Sequence, residues 1–257
     1  MNHLKELIHN EIASCPGRVS VYVEVDYWRF EHNSEDIYSS ASLIKIPILI
    51  ESLRQRETGL LSLDDVVSIN MESKVGGSGV LQALDQCSWK VIDLLTLMII
   101  VSDNTATNII IDLVGINAIN HCMELLQLKE TKLRRKMMDF SAMEQGKDNK
   151  TCASEMAACL KVLSSGSFLS KESIRIAKEI LQYQQFNHKI PAFVHPEVAY
   201  VGSKTGGLPG VEHECAVLSY KEKNAYIAIL IDEIPEGTSG TPTMQNIGKA
   251  VFEALVK

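Results

Sequence analysis

Residues 39–50 read SSASLIKIPILI, a run that sets one hydroxyl and one amine into apolar surroundings. Ser42 and Lys45 are three residues apart, so on a helix they lie on one face within side-chain reach. A serine hydroxyl becomes a good nucleophile when an adjacent base takes its proton, and burial can lower a lysine pKa enough for that task. The stretch therefore predicts the start of a buried helix that carries a nucleophile and its base.

The same residues also fit an ordinary helix N-terminus. A serine cap and a lysine whose stem lies along apolar surface give the same pattern. Ser-x-x-Lys is expected by composition about once in a chain of this length, so the motif carries little weight alone. We expect the helix to run to about Thr58-Gly59, with a distorted first turn because Pro47 cannot donate a hydrogen bond to Leu43.

Composition limits the class of protein. The 257 residues are 46% hydrophobic and 22% charged, as in globular proteins, and can bury a core as one domain or two intimate ones. The formal net charge of −7 and pI near 5.5 argue against nucleic acid or an anionic membrane as partner. No apolar run reaches the length of a membrane span.

The N-terminus and the cysteines bear on the compartment. Residues 1–8 alternate charged and apolar side chains and lack the apolar core of a secretion signal. Six cysteines are scattered, without Cys-x-x-Cys or His-Glu-x-x-His, so reduced structural thiols are the default. The sequence predicts a cytoplasmic protein with no metal and no cofactor, although a secreted chain without its leader would look the same. It does not indicate an oligomeric state.

Periodicity orders the elements as a helix, a strand, a long helical block, three strands and a final helix. The strands are expected at 19–27, 199–204, 213–220 and 225–231. The helices, apart from the one after Ser42, are expected at 2–14, 89–101, 103–114, 116–127, 154–165, 170–185 and 243–256. Because the first strand finds its best partners near the C-terminus, both chain ends should build one sheet, with the helical block inserted between them.

Two later motifs favour the interpretation of Ser42 as a nucleophile over that of an ordinary helix N-terminus. Ser102-Asp103-Asn104 follows an apolar helix, where a capping turn between two helices would be the ordinary interpretation. Lys204-Thr205-Gly206-Gly207 ends a strand, where an exposed strand end with a glycine turn would be ordinary. Ser-x-x-Lys, Ser-Asp-Asn and Lys-Thr-Gly in this order are the signature of class A β-lactamases and penicillin-binding proteins. The chain resembles that superfamily over nearly its whole length.

The resemblance implies an α+β fold, with an antiparallel sheet formed by both chain ends, flanked by helices and carrying an inserted all-helical subdomain. The chain would be one domain, with a sheet subdomain at about 1–40 plus 196–257 and a helical subdomain at about 41–195. It would act on a small-molecule substrate, a β-lactam or another acyl amide or ester.

The resemblance also assigns roles to residues. Ser42 would be the nucleophile, Lys45 would take or order its proton, and Ser102 would pass a proton to the leaving nitrogen. Asn104, Lys204, Thr205, Gly206 and Gly207 would bind substrate, and the N–H groups of Ser42 and Gly207 would form the oxyanion hole. We expect Ser42 Oγ to lie within or near hydrogen-bond reach of Lys45 Nζ.

One departure from the family concerns release of the acyl group. Class A enzymes use a glutamate in an Arg-x-Glu-x-x-x-Asn pattern. Aligning Arg135 with that arginine puts Met137 at the glutamate position, and methionine cannot activate water. Asp139 or Glu144 could substitute if the loop takes another path, although their spacing does not support either. Asp148 or Asn149 could tie the loop to Arg134 or Arg135.

A second departure follows the Lys-Thr-Gly strand, where the family often carries a cation that helps to hold a substrate carboxylate. Here the sequence reads Glu212-His213-Glu214. Strand alternation puts both carboxylates on one side. If they face the cleft, they would repel an anion and indicate another acyl or amide substrate. The interpretation we favour is that they face solvent and His213 points inward.

The sequence thus predicts a serine acyl-transfer hydrolase, with two alternatives. One is a peptidase or esterase whose substrate is not a lactam. The other is a penicillin-binding or sensor-like protein that becomes acylated and stays so.

Overall fold

The computed structural model describes all residues from Met1 to Lys257. The α-helices are α1 Asn2–Ser14, α2 Lys45–Glu57, α3 Val91–Ile100, α4 Asn104–Val114, α5 Ile116–Leu125, α6 Phe140–Glu144, α7 Ala153–Ser164, α8 Lys171–Gln182 and α9 Thr241–Val256. The strands are β1 Arg18–Val25, β2 Trp28–His32, β3 Tyr38–Ser39, β4 Val66–Ser68, β5 Ser88–Lys90, β6 Lys150–Thr151, β7 Tyr200–Leu208, β8 Val211–Tyr220 and β9 Lys223–Asp232. No helix combines the length and apolar character that crossing a membrane requires.

Both chain ends build the main sheet, as predicted. Its strand order is β2-β1-β9-β8-β7, and every neighbouring pair is antiparallel. The N-terminal strand β1 pairs along its whole length with β9, so that Val21 lies opposite Ile229. The Lys-Thr-Gly strand β7 lies at one edge, which leaves one side of its backbone free to line a cleft.

Apolar side chains cover both faces of this sheet. One face packs against α1 and α9, and the other packs against the helical block, with α7 over the centre of the sheet and α8 over β7. Because both faces are covered, the central strands are buried on both sides, which explains their nearly continuous apolar sequence. The strongly apolar helix α3 buries five of its ten residues and exposes Asp93, so one side of it faces away from the core.

Several boundaries differ from the sequence prediction by a few residues, and two of these differences have a clear structural cause. The strand predicted at 19–27 ends at Val25, because Asp26 has a left-handed φ of 51° and starts a turn into the unpredicted strand β2. The helix predicted at 89–101 begins only at Val91, because residues 88–90 pair with β4 as strand β5.

The start of the Ser42 helix has the distortion that Pro47 implies. Residues Ala41–Ile44 form a 3₁₀ turn, and the α-helix α2 begins at Lys45. Pro47 is the third residue of α2, where a backbone N–H has no partner within the helix. The proline thus fits without a broken hydrogen bond, and Ser42 lies on the tighter turn before it.

Candidate active site

The Ser42 turn lies directly against the edge strand. Ala41 has a left-handed φ of 44°, and Ser42 after it is half-buried. A Cβ atom added to Gly206 would come within 3.3 Å of both Ala41 and Leu43. Gly206 therefore lets the strand approach the turn closely, and this places Ser42 beside the Lys-Thr-Gly residues.

Lys45 is completely buried and fully engaged with the Ser-Asp-Asn turn. Its Nζ donates to the backbone oxygen of Ser102 at 2.6 Å, and lies 3.0 Å from Ser102 Oγ and 2.9 Å from Asn104 Oδ1. Burial first, and then the charge of Lys204, lower the pKa of Lys45 well below its usual range, against a smaller opposing effect of Asp103. A neutral amine is the form that can accept a proton.

The expected hydrogen bond between Ser42 and Lys45 is not present. The Ser42 hydroxyl has no hydrogen-bond partner in the protein, while Lys45 Nζ points to Ser102 and Asn104. Catalytic hydrogen bonds are often loose without substrate and form only in the complex. To act as a base for Ser42, Lys45 would have to exchange a bond with Ser102 for one with Ser42.

Ser102 lies between two lysines. Its Oγ is 3.0 Å from Lys45 Nζ and 3.1 Å from Lys204 Nζ, and Lys204 Nζ also donates to the Thr205 backbone oxygen at 2.7 Å. Lys204 is fully buried, and burial lowers its pKa to about 7. The structure thus joins the three sequence motifs through one hydroxyl, which can donate to one amine and accept from the other.

Asp103 holds this turn in place. Its Oδ1 accepts the backbone N–H of Ala106 at 2.9 Å, and its Oδ2 accepts those of Val80 and Leu81 at 2.6 and 2.8 Å. Ser102 before it has a left-handed φ of 54°, a conformation that needs such support. The capping role that the sequence suggested for this position is therefore real, and it also fixes the loop before α3.

We expect Asp103→Ala to destabilise the protein strongly. The side chain is 1% exposed, so its loss leaves three N–H groups without a partner, each at a cost of about 1–3 kcal/mol. Asp139→Ala is the matched control, because Asp139 caps the short, exposed helix α6 through one N–H and should cost about 1 kcal/mol. Urea unfolding measures both, and equal losses would contradict this account of the turn.

Of the remaining substrate-binding candidates, Asn104 and Gly207 line the cleft, and Thr205 and Gly206 do not. Asn104 Nδ2 donates to the Gly76 oxygen at 3.1 Å, which fixes the carboxamide toward the cavity. Leu208 pairs with Val211 across a two-residue turn, and Gly207 is one step from this pair. Along an antiparallel ladder, hydrogen-bonded residue pairs alternate with pairs that are not hydrogen-bonded, and the pair that flanks a two-residue turn is hydrogen-bonded. Gly207 therefore belongs to a pair without hydrogen bonds, so its N–H points away from β8 toward the cleft. Thr205 is buried on the opposite side of the strand from Lys204.

A cavity of about 190 Å³ opens beside Ser42. Its lining comprises Ala41, Ser42, Gly77, Ser78, Asn104, Arg135, Met137, Met138, Phe140, Asn149, Gly207, Leu208 and Pro209. The predicted nucleophile, one predicted oxyanion donor and one predicted amide ligand thus share a single space. The buried lysines and Ser102 lie behind it.

Met137 lines this cavity, where its alignment with the family glutamate would place it. Its side chain is 8% exposed. Its backbone N–H donates to Asn108 Oδ1 at 2.7 Å, and its oxygen accepts from Asn108 Nδ2 at 3.1 Å. Sequence reasoning missed Asn108, although an asparagine before three isoleucines inside an apolar helix is a signal that could have found it.

A polar network holds the Met137 loop at its base, as the sequence suggested. Arg135 Nε donates to Asp148 Oδ1 at 2.9 Å. Asn149 Oδ1 accepts the N–H groups of Arg134 and Arg135 at 2.7 and 3.0 Å. The loop path is therefore determined by bonds that do not involve the Met137 side chain.

The two alternative bases lie elsewhere. Asp139 and Glu144 are exposed at the two ends of α6, and neither lines the cavity. Neither is placed to activate a water beside the Ser42 ester.

The prediction for residues 212–214 is correct for histidine and wrong for one glutamate. His213 is buried, with Nε2 2.9 Å from the Ser39 oxygen and Nδ1 accepting the Ile231 N–H at 3.1 Å, and burial lowers its pKa to about 4. Glu214 does not face solvent but is fully buried, because the 3₁₀ turn before β7 and helix α9 cover that face. Glu212 is half-buried beside the start of α9, so neither carboxylate lines the cleft.

Comparisons with known proteins agree with this geometry. A family model described as the beta-lactamase enzyme family matches residues 3–255. A solved beta-lactamase from Sphaerobacter thermophilus DSM 20745 superposes with a TM-score of 0.89 at 28% identity, covering 99% of this chain and 97% of that one. No curated protein sequence matches the chain.

Two further solved structures share the fold at lower identity. A class A beta-lactamase from Mycobacterium abscessus has a TM-score of 0.88 and 20% identity, covering 99% of this chain and 100% of that one. A variant of PBP-A, solved as an acyl-enzyme complex with penicillin G, has a TM-score of 0.87 and 20% identity, with coverages of 99% and 96%.

Proposed function

The chain belongs to the beta-lactamase enzyme family, and from that premise we propose that it is a serine acyl-transfer hydrolase that opens a β-lactam or related amide through a covalent acyl-enzyme. The observation that carries this proposal is the position of Ser102 Oγ between the amines of Lys45 and Lys204, behind the cavity that holds Ser42. This arrangement supplies a base, a proton relay and a cation next to one half-buried hydroxyl.

Acylation would begin when the neutral Lys45 amine, turned toward Ser42, accepts the hydroxyl proton as Oγ bonds to the substrate carbonyl carbon. The oxygen of the tetrahedral intermediate would be held by the N–H groups of Ser42 and Gly207. Ser102 would then give its proton to the leaving nitrogen as the C–N bond breaks. The Lys45 ammonium would return a proton to Ser102, leaving an ester on Ser42.

The positive charge of Lys204 would have a separate role in the acylation step. Its ammonium donates to Ser102 Oγ and, near Thr205, would attract an anionic group of the substrate. Because Lys204 is buried, its proton is held less firmly than that of a surface lysine. The site therefore needs one neutral lysine and one charged lysine at the same time.

This requirement predicts the pH dependence of acylation. The rate should fall as pH rises through about 7, where Lys204 loses its proton, and should fall on the acid side as Lys45 becomes charged. Stopped-flow acylation rates from about pH 5 to about pH 9 measure the profile. A rate that keeps increasing above neutral pH would show that a charged Lys204 is not needed.

Met137 favours a second candidate, a penicillin-binding or sensor-like protein that stays acylated. Hydrolysis of the ester needs a base on a water beside its carbonyl, and the cavity wall at that place is a thioether. The PBP-A variant captured as an acyl-enzyme with penicillin G shows that this fold can carry such an ester. We propose that acylation is competent and release is slow.

Time-resolved mass spectrometry of the intact protein with penicillin G separates the candidates. An adduct that forms quickly and persists supports slow release, and an adduct that disappears as substrate is consumed indicates a lactamase with another base. No adduct with penicillin G or any chromogenic lactam would contradict the lactam proposal. A parallel screen with small esters would then test the peptidase or esterase alternative.

A further inference from the structure

Glu214 is a buried acid that the proposed reaction does not use. It is fully buried, and no lysine or arginine forms an ion pair with it. Its Oε2 accepts the backbone N–H of Ile190 at 2.5 Å, and its Oε1 accepts Ser203 Oγ at 3.0 Å. Burying a carboxyl group without a counter-ion costs free energy. These two hydrogen bonds offset part of that cost and fix the position of the Glu214 side chain.

The position of this carboxyl relates it to Lys204. In the β7–β8 ladder, Thr205 lies opposite Glu214 and Lys204 lies opposite Cys215. Side chains alternate across a strand, so Glu214 and Lys204 lie on opposite faces of the same two strands. Ser203, which donates to Glu214, is the chain neighbour of Lys204. The carboxyl thus lies directly behind the strand that presents the catalytic amine.

We propose that Glu214 is a positioning residue for Lys204, which fixes strand β7 from behind through Ser203 and whose negative charge keeps the Lys204 ammonium protonated as pH rises. Only the expected effect of Glu214 on the acylation rate rests on the proposed function. The placement of Glu214 behind Lys204 stands on the fold alone.

Other charged and titratable groups face this pair. Lys189, just before the 3₁₀ turn Ile190–Phe193, is on the Glu214 side, and Glu212 is half-buried further along β8. Cys215 and Lys45 are near Lys204 on the cleft side. A positive charge on Lys189 acts against the charge on Lys204, whereas the proposed reaction uses Lys45 as a neutral amine. Glu214 is the fully buried carboxyl of the set.

The titrations of the two groups overlap. Burial raises the pKa of Glu214 to about 7, against the lowering effect of the bonds from Ile190 and Ser203. Burial lowers the pKa of Lys204 to about 7, and Cys215 and then the Glu214 carboxylate act against that decrease. Glu214 therefore becomes negative across the pH range in which Lys204 would otherwise lose its proton, which widens the range of the charged amine.

The test is an NMR titration of Lys204 in protein labelled with ¹³C at the lysine ε carbon, its signal being the one that disappears in Lys204→Gln. Glu214→Gln removes the charge and keeps the shape, so the Lys204 midpoint should fall by about half to one pH unit. The alkaline limb of acylation should move by the same amount. Glu212→Gln is the matched control on the same face of β8 and should leave the midpoint unchanged.

Ser203→Ala provides a second, milder variant. It removes a hydrogen bond to the carboxylate, which raises the Glu214 pKa and so should lower the Lys204 midpoint by a smaller amount. If Glu214→Gln does not fold, this variant decides the question. An unchanged midpoint in a folded Glu214→Gln, or in Ser203→Ala when the other is unfolded, overturns the proposal. An unmodified protein that no substrate acylates would refute the proposed function and leave the NMR test intact.

Discussion

Ser42→Ala should abolish covalent labelling by a fluorescent penicillin or a fluorophosphonate while the protein remains folded. Ser42 and Ser78 carry the hydroxyls that line the cavity, and Ser42 is the one that shares its helix start with the buried amine of Lys45. The Ser42 hydroxyl makes no hydrogen bond in the protein, so its removal should change stability by no more than about 0.5 kcal/mol. In-gel fluorescence measures the labelling, and thermal unfolding reports the fold.

The matched control is Ser78→Ala. Ser78 lines the same cavity, and its backbone oxygen accepts the Asn104 N–H at 3.0 Å. Its side chain has no part in the proposed reaction, so the variant should be labelled as the unmodified protein is. Labelling that survives in Ser42→Ala would show that Ser42 is not the nucleophile.

Met137→Glu should raise the steady rate of lactam hydrolysis by about 10²–10⁴-fold, the usual contribution of a general base. Asn108 holds the backbone of residue 137 from both sides, so the new carboxylate would project into the cavity beside the Ser42 ester. In the unmodified protein, nitrocefin product should appear as a burst of one equivalent per enzyme followed by slow turnover. The variant should show fast turnover with a reduced burst.

Met137→Gln distinguishes basicity from size. Glutamine fills nearly the same space as glutamate but cannot take a proton from water, so its steady rate should stay close to that of the unmodified protein. Fast turnover without a burst in the unmodified protein would mean that another base is present and that the alignment of this loop is wrong. Asp139 and Glu144 would then be the first positions to mutate.

The sequence could predict where the proposed site residues lie along the chain because they occupy fixed places in regular elements. Ser42 and Lys45 share a helix start, and Ser102 follows an apolar helix. The sequence predicts Lys204 at the end of a strand, but it lies in the middle of β7, which continues to Leu208. Local periodicity indicates the elements on which these residues lie, and the roles proposed for them come from the resemblance of the three motifs to the family. The pairing of β1 with β9 follows in the same way from apolar alternation at the two chain ends.

The features that the sequence did not predict depend on which elements pack over each face of the sheet. Alternation correctly put Glu212 and Glu214 on one side of β8, but only the packed α9 and the 3₁₀ turn before β7 decide that Glu214 is buried. The bonds of Lys45 to Ser102 and Asn104 join groups more than fifty residues apart. Periodicity carries no information on such contacts, because they arise from how the helical block packs on the sheet.

The central claim is that an acyl group is transferred to Ser42, and peptide mapping after exposure to penicillin G tests it most directly. Trypsin releases residues 30–45, which contain Ser34, Ser39, Ser40 and Ser42. Fragmentation of this peptide should place one penicillin on Ser42 and none on the other three serines. A penicillin located on another residue, or a peptide that stays unmodified while the protein consumes the drug, would contradict the account.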